Sequence, residues 1–77
     1  MDVYSYMCQQ SIKRFMKSQR VSADFLAAQL GITRATFYAK LAGYRQWKVL
    51  ELRTLARLGV QVPPMDADLI RRREAVN

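Results

Sequence analysis

Three glycines set the frame of this chain. Gly31, Gly43 and Gly59 each close a stretch whose apolar residues recur at helical spacing. At Gly31 the stop reflects a positive φ that a Cβ would oppose. The chain is thereby cut into short helices that must hold each other. With 77 residues it makes one domain, and it has a single cysteine, Cys8, and no histidine. An intrachain disulfide and a zinc site built from Cys and His are therefore excluded, which leaves helix packing as the source of stability.

The first helix is expected from Tyr4 to about Gln19, with Tyr4, Cys8, Ile12, Phe15 and Met16 along one stripe and Gln10, Lys13 and Lys17 opposite. Inside that stripe Cys8 reads as a buried structural thiol. Ser22 is an N-cap for a second helix, Ala23 to Leu30, with Ala23, Leu26, Ala27 and Leu30 inward and Asp24 in the first turn, where the helix dipole favours it. Thr33 caps a third, Arg34 to about Ala42, with Phe37 and Leu41 inward. A fourth is expected from about Trp47 to Leu58, with Val49, Leu52, Leu55 and Ala56 on its inner face. Two prolines keep 60–64 extended, and a last short helix starts near Asp66. The expected fold class is all-α, a compact arrangement of four to five helices, with 1–62 as the domain body and 63–77 as a short helical C-terminal extension.

Charge narrows the function. The chain carries a formal +7. Lys13, Arg14, Lys17 and Arg20 outweigh Asp2 near the start. In the middle, Arg34, Lys40, Arg45, Lys48, Arg53 and Arg57 outweigh Asp24 and Glu51, while Arg71, Arg72 and Arg73 only balance Asp66, Asp68 and Glu74 at the end. The folded body, not a tail, carries the positive field, which favours an ordered surface for a polyanion. The rival reading is a basic protein that is merely soluble. No apolar run reaches the roughly 18–20 residues of a membrane span, and Asp2 stands where a signal peptide would be basic. No nucleophile–base pairing and no glycine-rich phosphate loop is present, so no enzyme, no cofactor, no metal and no small-molecule substrate are expected.

The most informative stretch joins two short helices through Gly31, Ile32 and Thr33. Helices linked so tightly cross steeply; Ala27 lets the backbones approach, and Leu26, Leu30, Ile32 and Phe37 fill the angle. The outer side of the second then protrudes, a shape suited to a DNA major groove. Residues 12–47, IKRF…RVSADFLAAQLGITRATFYAKLAGYRQW, resemble the lambda-repressor and Cro-like helix-turn-helix family, closest to small phage-type regulators. The pattern LA…LGIT…F…LAGYR carries the likeness over about half the chain. Three features depart from the family: Ala23 where a polar residue is common, Phe25 on the outward side of its helix, and a stretch from Arg45 to Val60 about one residue short.

The resemblance implies binding of operator DNA, usually as a dimer, and repression or modulation of transcription. It makes Arg34 to Ala42 the recognition helix, with Arg34, Ala35, Tyr38 and Ala39 toward base edges. Arg34 would pair two donors with guanine O6 and N7, and the alanines would touch thymine methyls. Thr33, Thr36, Lys40, Tyr44 and Arg45 are expected at the DNA backbone, where they set register. Rival readings stand beside these: Arg34 as a solvated first-turn side chain, Thr33 as a cap, Tyr38 packed on the protein's edge, Trp47 as core or interface, Lys13 and Lys17 as a solvated face. Trp47, Leu50 and Leu58 lie off the inner face of the fourth helix and form a candidate homodimer contact, unless the fifth helix covers them. The expected setting is cytoplasmic and nucleoid-associated, in a bacterial or phage-infected cell. Two other functions compete: an excisionase-like architectural protein that bends DNA, and a protein-interaction module, an anti-repressor or antitoxin, using Phe25, Trp47 and Leu50.

Overall fold

Asp2 opens the first helix: its Oδ1 accepts the Ser5 N–H at 2.6 Å, satisfying an amide that the first turn leaves without an internal partner. The computed structural model describes residues 2–64. Among these, four helices and no strand occur: α1 Val3–Gln19, α2 Ala23–Leu30, α3 Arg34–Leu41 and α4 Val49–Leu58. The expected fifth helix and most of the 63–77 extension lie outside the described residues.

Local chemistry sets each boundary. Ser22 caps α2 by accepting the Phe25 N–H at 3.1 Å, and Thr33 caps α3 by accepting the Thr36 N–H at 3.1 Å. Gly31 ends α2 with φ +69°, and the amides of Gly31 and Ile32 donate to Ala28 O and Ala27 O. This closure turns the chain from α2 into α3 within three residues. Arg20 ends α1 with φ 54° and is the only non-glycine residue with positive φ among those described.

The core is built from Cys8 and Ile12 of α1, Ala23, Leu26 and Ala27 of α2, Phe37 and Leu41 of α3, Leu52 and Leu55 of α4, and Val60 beyond it. Tyr4, Phe15, Met16, Leu30, Ile32, Trp47 and Leu58 pack around this centre. Helix α2 lies against α3 and α4, and α1 lies against α3. After α4 the extended chain returns along α1. Gly59 sits close to Phe15, and four residues later Tyr4 Oη donates to Pro63 O at 3.0 Å. Packing thus continues through Val62 and Pro63, past the expected domain end at 62.

Helix α4 differs from its expected form in two respects. It begins at Val49, not Trp47, because the Glu51 side chain turns back to accept the Lys48 N–H at 2.8 Å. Lys48 is thereby held extended, and Trp47 lies in the preceding loop with its ring edge-on to Phe37, centroids 5.8 Å apart. Its inner face is also rotated. Glu51, Leu52 and Leu55 point inward with Leu58 beside them, whereas Val49 and Ala56, both expected inside, are exposed. The spacing 51, 52, 55, 58 is itself a helical stripe, but its first member is a carboxylate.

Candidate nucleic-acid interface

Helix α3 turns Phe37, Lys40 and Leu41 into the protein, so its opposite side faces out. Arg34, Ala35 and Tyr38 are exposed and Ala39 is half-buried, so the four expected base-reading positions share the outward side. Two of them are coupled. The Arg34 guanidinium carbon lies 5.7 Å from the centre of the Tyr38 ring, and its Nε is 3.6 Å from Asp24 Oδ1 at the start of α2. Both charged side chains are about two-thirds exposed, so the ion pair contributes little to stability. It does restrict where the guanidinium points.

Thr33 serves first as a cap. Beyond accepting the Thr36 N–H, its hydroxyl donates to Thr36 Oγ1 at 2.9 Å. Thr36, Lys40, Tyr44 and Arg45 line one open groove of about 470 Å³, together with Gln46 and Lys48. Four of the five expected DNA-backbone positions are therefore brought together beside α3. The amides of Tyr44 and Arg45 both donate to Ala39 O, which pins the loop to the end of the helix. Tyr44 is 86% exposed.

Lys40 is a correction. Expected at a phosphate, it is 4% exposed, and its ammonium donates to both Glu51 oxygens at 2.5 and 2.6 Å. It lies three residues after Phe37 and one before Leu41, on the inward flank of α3, where the first turn of α4 meets it. Lys48 and Gln46 were missed as groove residues. The candidate dimer contact also changes. Trp47 and Leu58 pack on the protein's own core, which leaves Leu50, at 72% exposure, with Val49 beside it.

No family model, curated protein or solved structure matches this chain.

Surface charge completes the site. Once Lys40 and Glu51 neutralise each other internally, the described residues present nine exposed cations: Lys13, Arg14, Lys17, Arg20, Arg34, Arg45, Lys48, Arg53 and Arg57. Only Asp2 and Asp24 are exposed carboxylates among the same residues. Asp2 is committed to the cap of α1, where hydrogen bonds from the Ser5 backbone N–H and then from the Ser5 side chain hold its carboxyl below the usual range. No helix among the described residues is long and apolar enough to cross a membrane.

Proposed function

We propose that this protein is a regulator that binds double-stranded DNA in the manner of Cro-like proteins, with α2, the Gly31–Thr33 turn and α3 acting as a helix-turn-helix. The observation that carries this reading is the outward side of α3. It is exposed on a helix that follows α2 after three residues, and it is flanked by a groove bearing Arg45 and Lys48. In this reading α3 enters the major groove. Arg34, steered by Asp24 and the Tyr38 ring, addresses a guanine, and Ala35 and Ala39 rest against thymine methyls. Thr36, Tyr44, Arg45 and Lys48 meet the DNA backbone and set register. Repression follows if the site overlaps a promoter. Pairing of two chains through Val49 and Leu50 would place half-sites about 10 bp apart.

One observation favours a second reading. Two of the four outward positions on α3 are alanines, which offer no hydrogen bond to a base, so recognition through DNA shape and bendability is the architectural alternative. Selection from random duplex DNA at roughly 150 mM salt separates the two, because weak surface attraction is largely screened there. A palindromic motif supports an operator-reading dimer, and a single half-site supports a monomer. Enrichment of A·T-rich or flexible DNA without a motif supports the architectural role. If no sequence is enriched, the DNA reading fails.

A further inference from the structure

Among the described residues, no element packs on a second face of helix α1. Its core side is formed by Tyr4, Cys8, Ile12, Phe15 and Met16. On the opposite side, Val3, Tyr6, Met7, the half-buried Gln10, Lys13, Arg14 and Lys17 follow one another at helical spacing. The stripe is divided along its length. Its first half is apolar, with Val3, Tyr6 and Met7 at 75%, 54% and 44% exposure. Its second half is cationic, and Arg20 extends it past the helix end.

Nothing in α1 neutralises those cations. The helix contains no acidic residue within Val3–Gln19, although Lys13 and Lys17 stand four apart and Arg14 and Lys17 three apart. Like charges at these spacings repel, and only Lys17 lies in the last turn, where the helix dipole offsets that cost. A groove of about 280 Å³ adjoins this half, where Arg14, Ser11, Ser18 and Gln61 supply polar groups over Phe15 and Gly59. Because α1 packs on α3 through its buried side, the stripe turns away from the outward side of α3.

We propose that this stripe docks an acidic, amphipathic segment of another protein, with its apolar side chains on Val3, Tyr6 and Met7 and its carboxylates on Lys13, Arg14 and Lys17. Charge complementarity selects this occupant. A second copy of the chain brings the same cations and a formal charge of +7, six carboxylate residues against thirteen cationic ones. A nucleic acid meets the cations but offers an unbroken row of phosphates to the apolar half. At a lipid surface, bulky apolar residues would be needed along the whole stripe, and the second half has none. The helix-in-groove and acidic-motif modes of peptide recognition combine both features. The proposal stands independently of DNA binding.

The test uses the full chain and a fluorescein-labelled helical peptide of about 16 residues, with leucines at helical spacing in one half and glutamates in the other. A scrambled peptide of equal composition is the control, and fluorescence anisotropy at near-physiological salt is the readout. The ordered peptide should bind about tenfold more tightly than the scrambled one. Lys13→Gln with Lys17→Gln, and separately Tyr6→Gln with Met7→Gln, should each weaken it by about tenfold, while Arg34→Ala with Arg45→Ala leaves it nearly unchanged. These stripe side chains are exposed, and circular dichroism verifies that each variant keeps its helices. No binding, equal binding of the two peptides, or displacement of the ordered peptide by duplex DNA would each overturn the proposal. So would an α3 variant that costs as much as the α1 variants. Loss of DNA binding in Arg34→Ala with peptide binding intact would separate this surface from the α3 interface.

Discussion

The buried pair between Lys40 and Glu51 gives the sharpest test of how α3 and α4 are joined. Both residues are under one-tenth exposed, and the carboxylate does two jobs: it accepts the Lys40 ammonium and the Lys48 N–H. Glu51→Gln keeps the size of the side chain and an oxygen for Lys48, but leaves a buried ammonium without a counter-charge. Breaking such a pair from one side costs about 3–5 kcal/mol. The retained oxygen puts this variant near the lower end. For a domain of this length, each 1 kcal/mol lowers Tm by about 4–8 °C, so the expected fall is about 12–24 °C. That is a large share of a total stability of about 4–12 kcal/mol.

Removing the pair from both sides should behave differently. Lys40→Met with Glu51→Leu eliminates the cost of desolvating two charges and adds apolar surface where the core already closes. What is lost is the bond to Lys48 N–H, about 1 kcal/mol by analogy with other helix caps. The double variant should therefore lie within about 2 kcal/mol of the parent, well above the sum of the single variants. Urea unfolding followed by far-ultraviolet circular dichroism measures all four corners of the cycle at a common slope. A Glu51→Gln variant within about 1 kcal/mol of the parent, or single losses that simply add, would refute the reasoning. Raising salt to about 1 M should leave the coupling largely in place, since a buried pair is poorly screened.

Other expectations follow from the same geometry. Arg34→Ala should flatten preference between DNA sequences, whereas Arg45→Ala should weaken all duplexes about equally; equal losses on selected and random DNA from Arg34→Ala would remove it from base reading. If about five phosphates are met per subunit, log affinity should fall against log salt with a slope of roughly −4 to −5, measurable by titration at several salt concentrations. Gly31→Ala should cost about 1–2 kcal/mol, since φ is +69° but no atom lies within 4 Å of the new Cβ. Gly59→Ala should cost more in the same unfolding assay, because φ is +114° and the Cβ would meet Phe15 Cε1 at 3.2 Å. For Asp2, the hydrogen bonds from Ser5 lower the folded pKa, so its contribution is present above the unfolded value near 4 and is lost as pH falls through the folded value. The Ser5 amide resonance should move on acidification through that range, and the movement should vanish in Asp2→Asn.

Much of the fold is legible because its signals are local. Ser22 and Thr33 are caps within a few residues of the amides they satisfy, and the apolar stripe of α1 is a repeat within one helix. The α2–α3 turn is legible for the same reason: Leu30, Gly31, Ile32 and Thr33 each act on their neighbours. The cap of α1 at Asp2 obeys the same rule, although the helix starts at Val3, one residue before the expected Tyr4. What was misread depends on contacts across the chain. The inner face of α4 was assigned by apolarity, which admits Val49 and Ala56 and rejects Glu51. The structure seats Glu51 inward because Lys40, eleven residues earlier, arrives at the same place.

The Lys40–Glu51 pair bears on the candidate site itself. A lysine near the end of a helix with an exposed side invites assignment to a phosphate when charge alone is counted. Its partner here is a carboxylate that also fixes where α4 begins, so Lys40 acts on the candidate interface indirectly. With Glu51 it ties the loop holding Tyr44, Arg45, Gln46 and Lys48 to the inward flank of α3, and the same loop supplies Trp47 to the ring of Phe37. A charge spent inside the domain thus sets the position of the cations left outside it. The consequence is a division of labour that binding data can expose. Replacing Arg45 should change affinity with stability unchanged, whereas replacing Glu51 should loosen the loop and lower both together. A Glu51 variant that unfolds more readily yet holds DNA as tightly as the parent would show that the loop keeps its place without the pair.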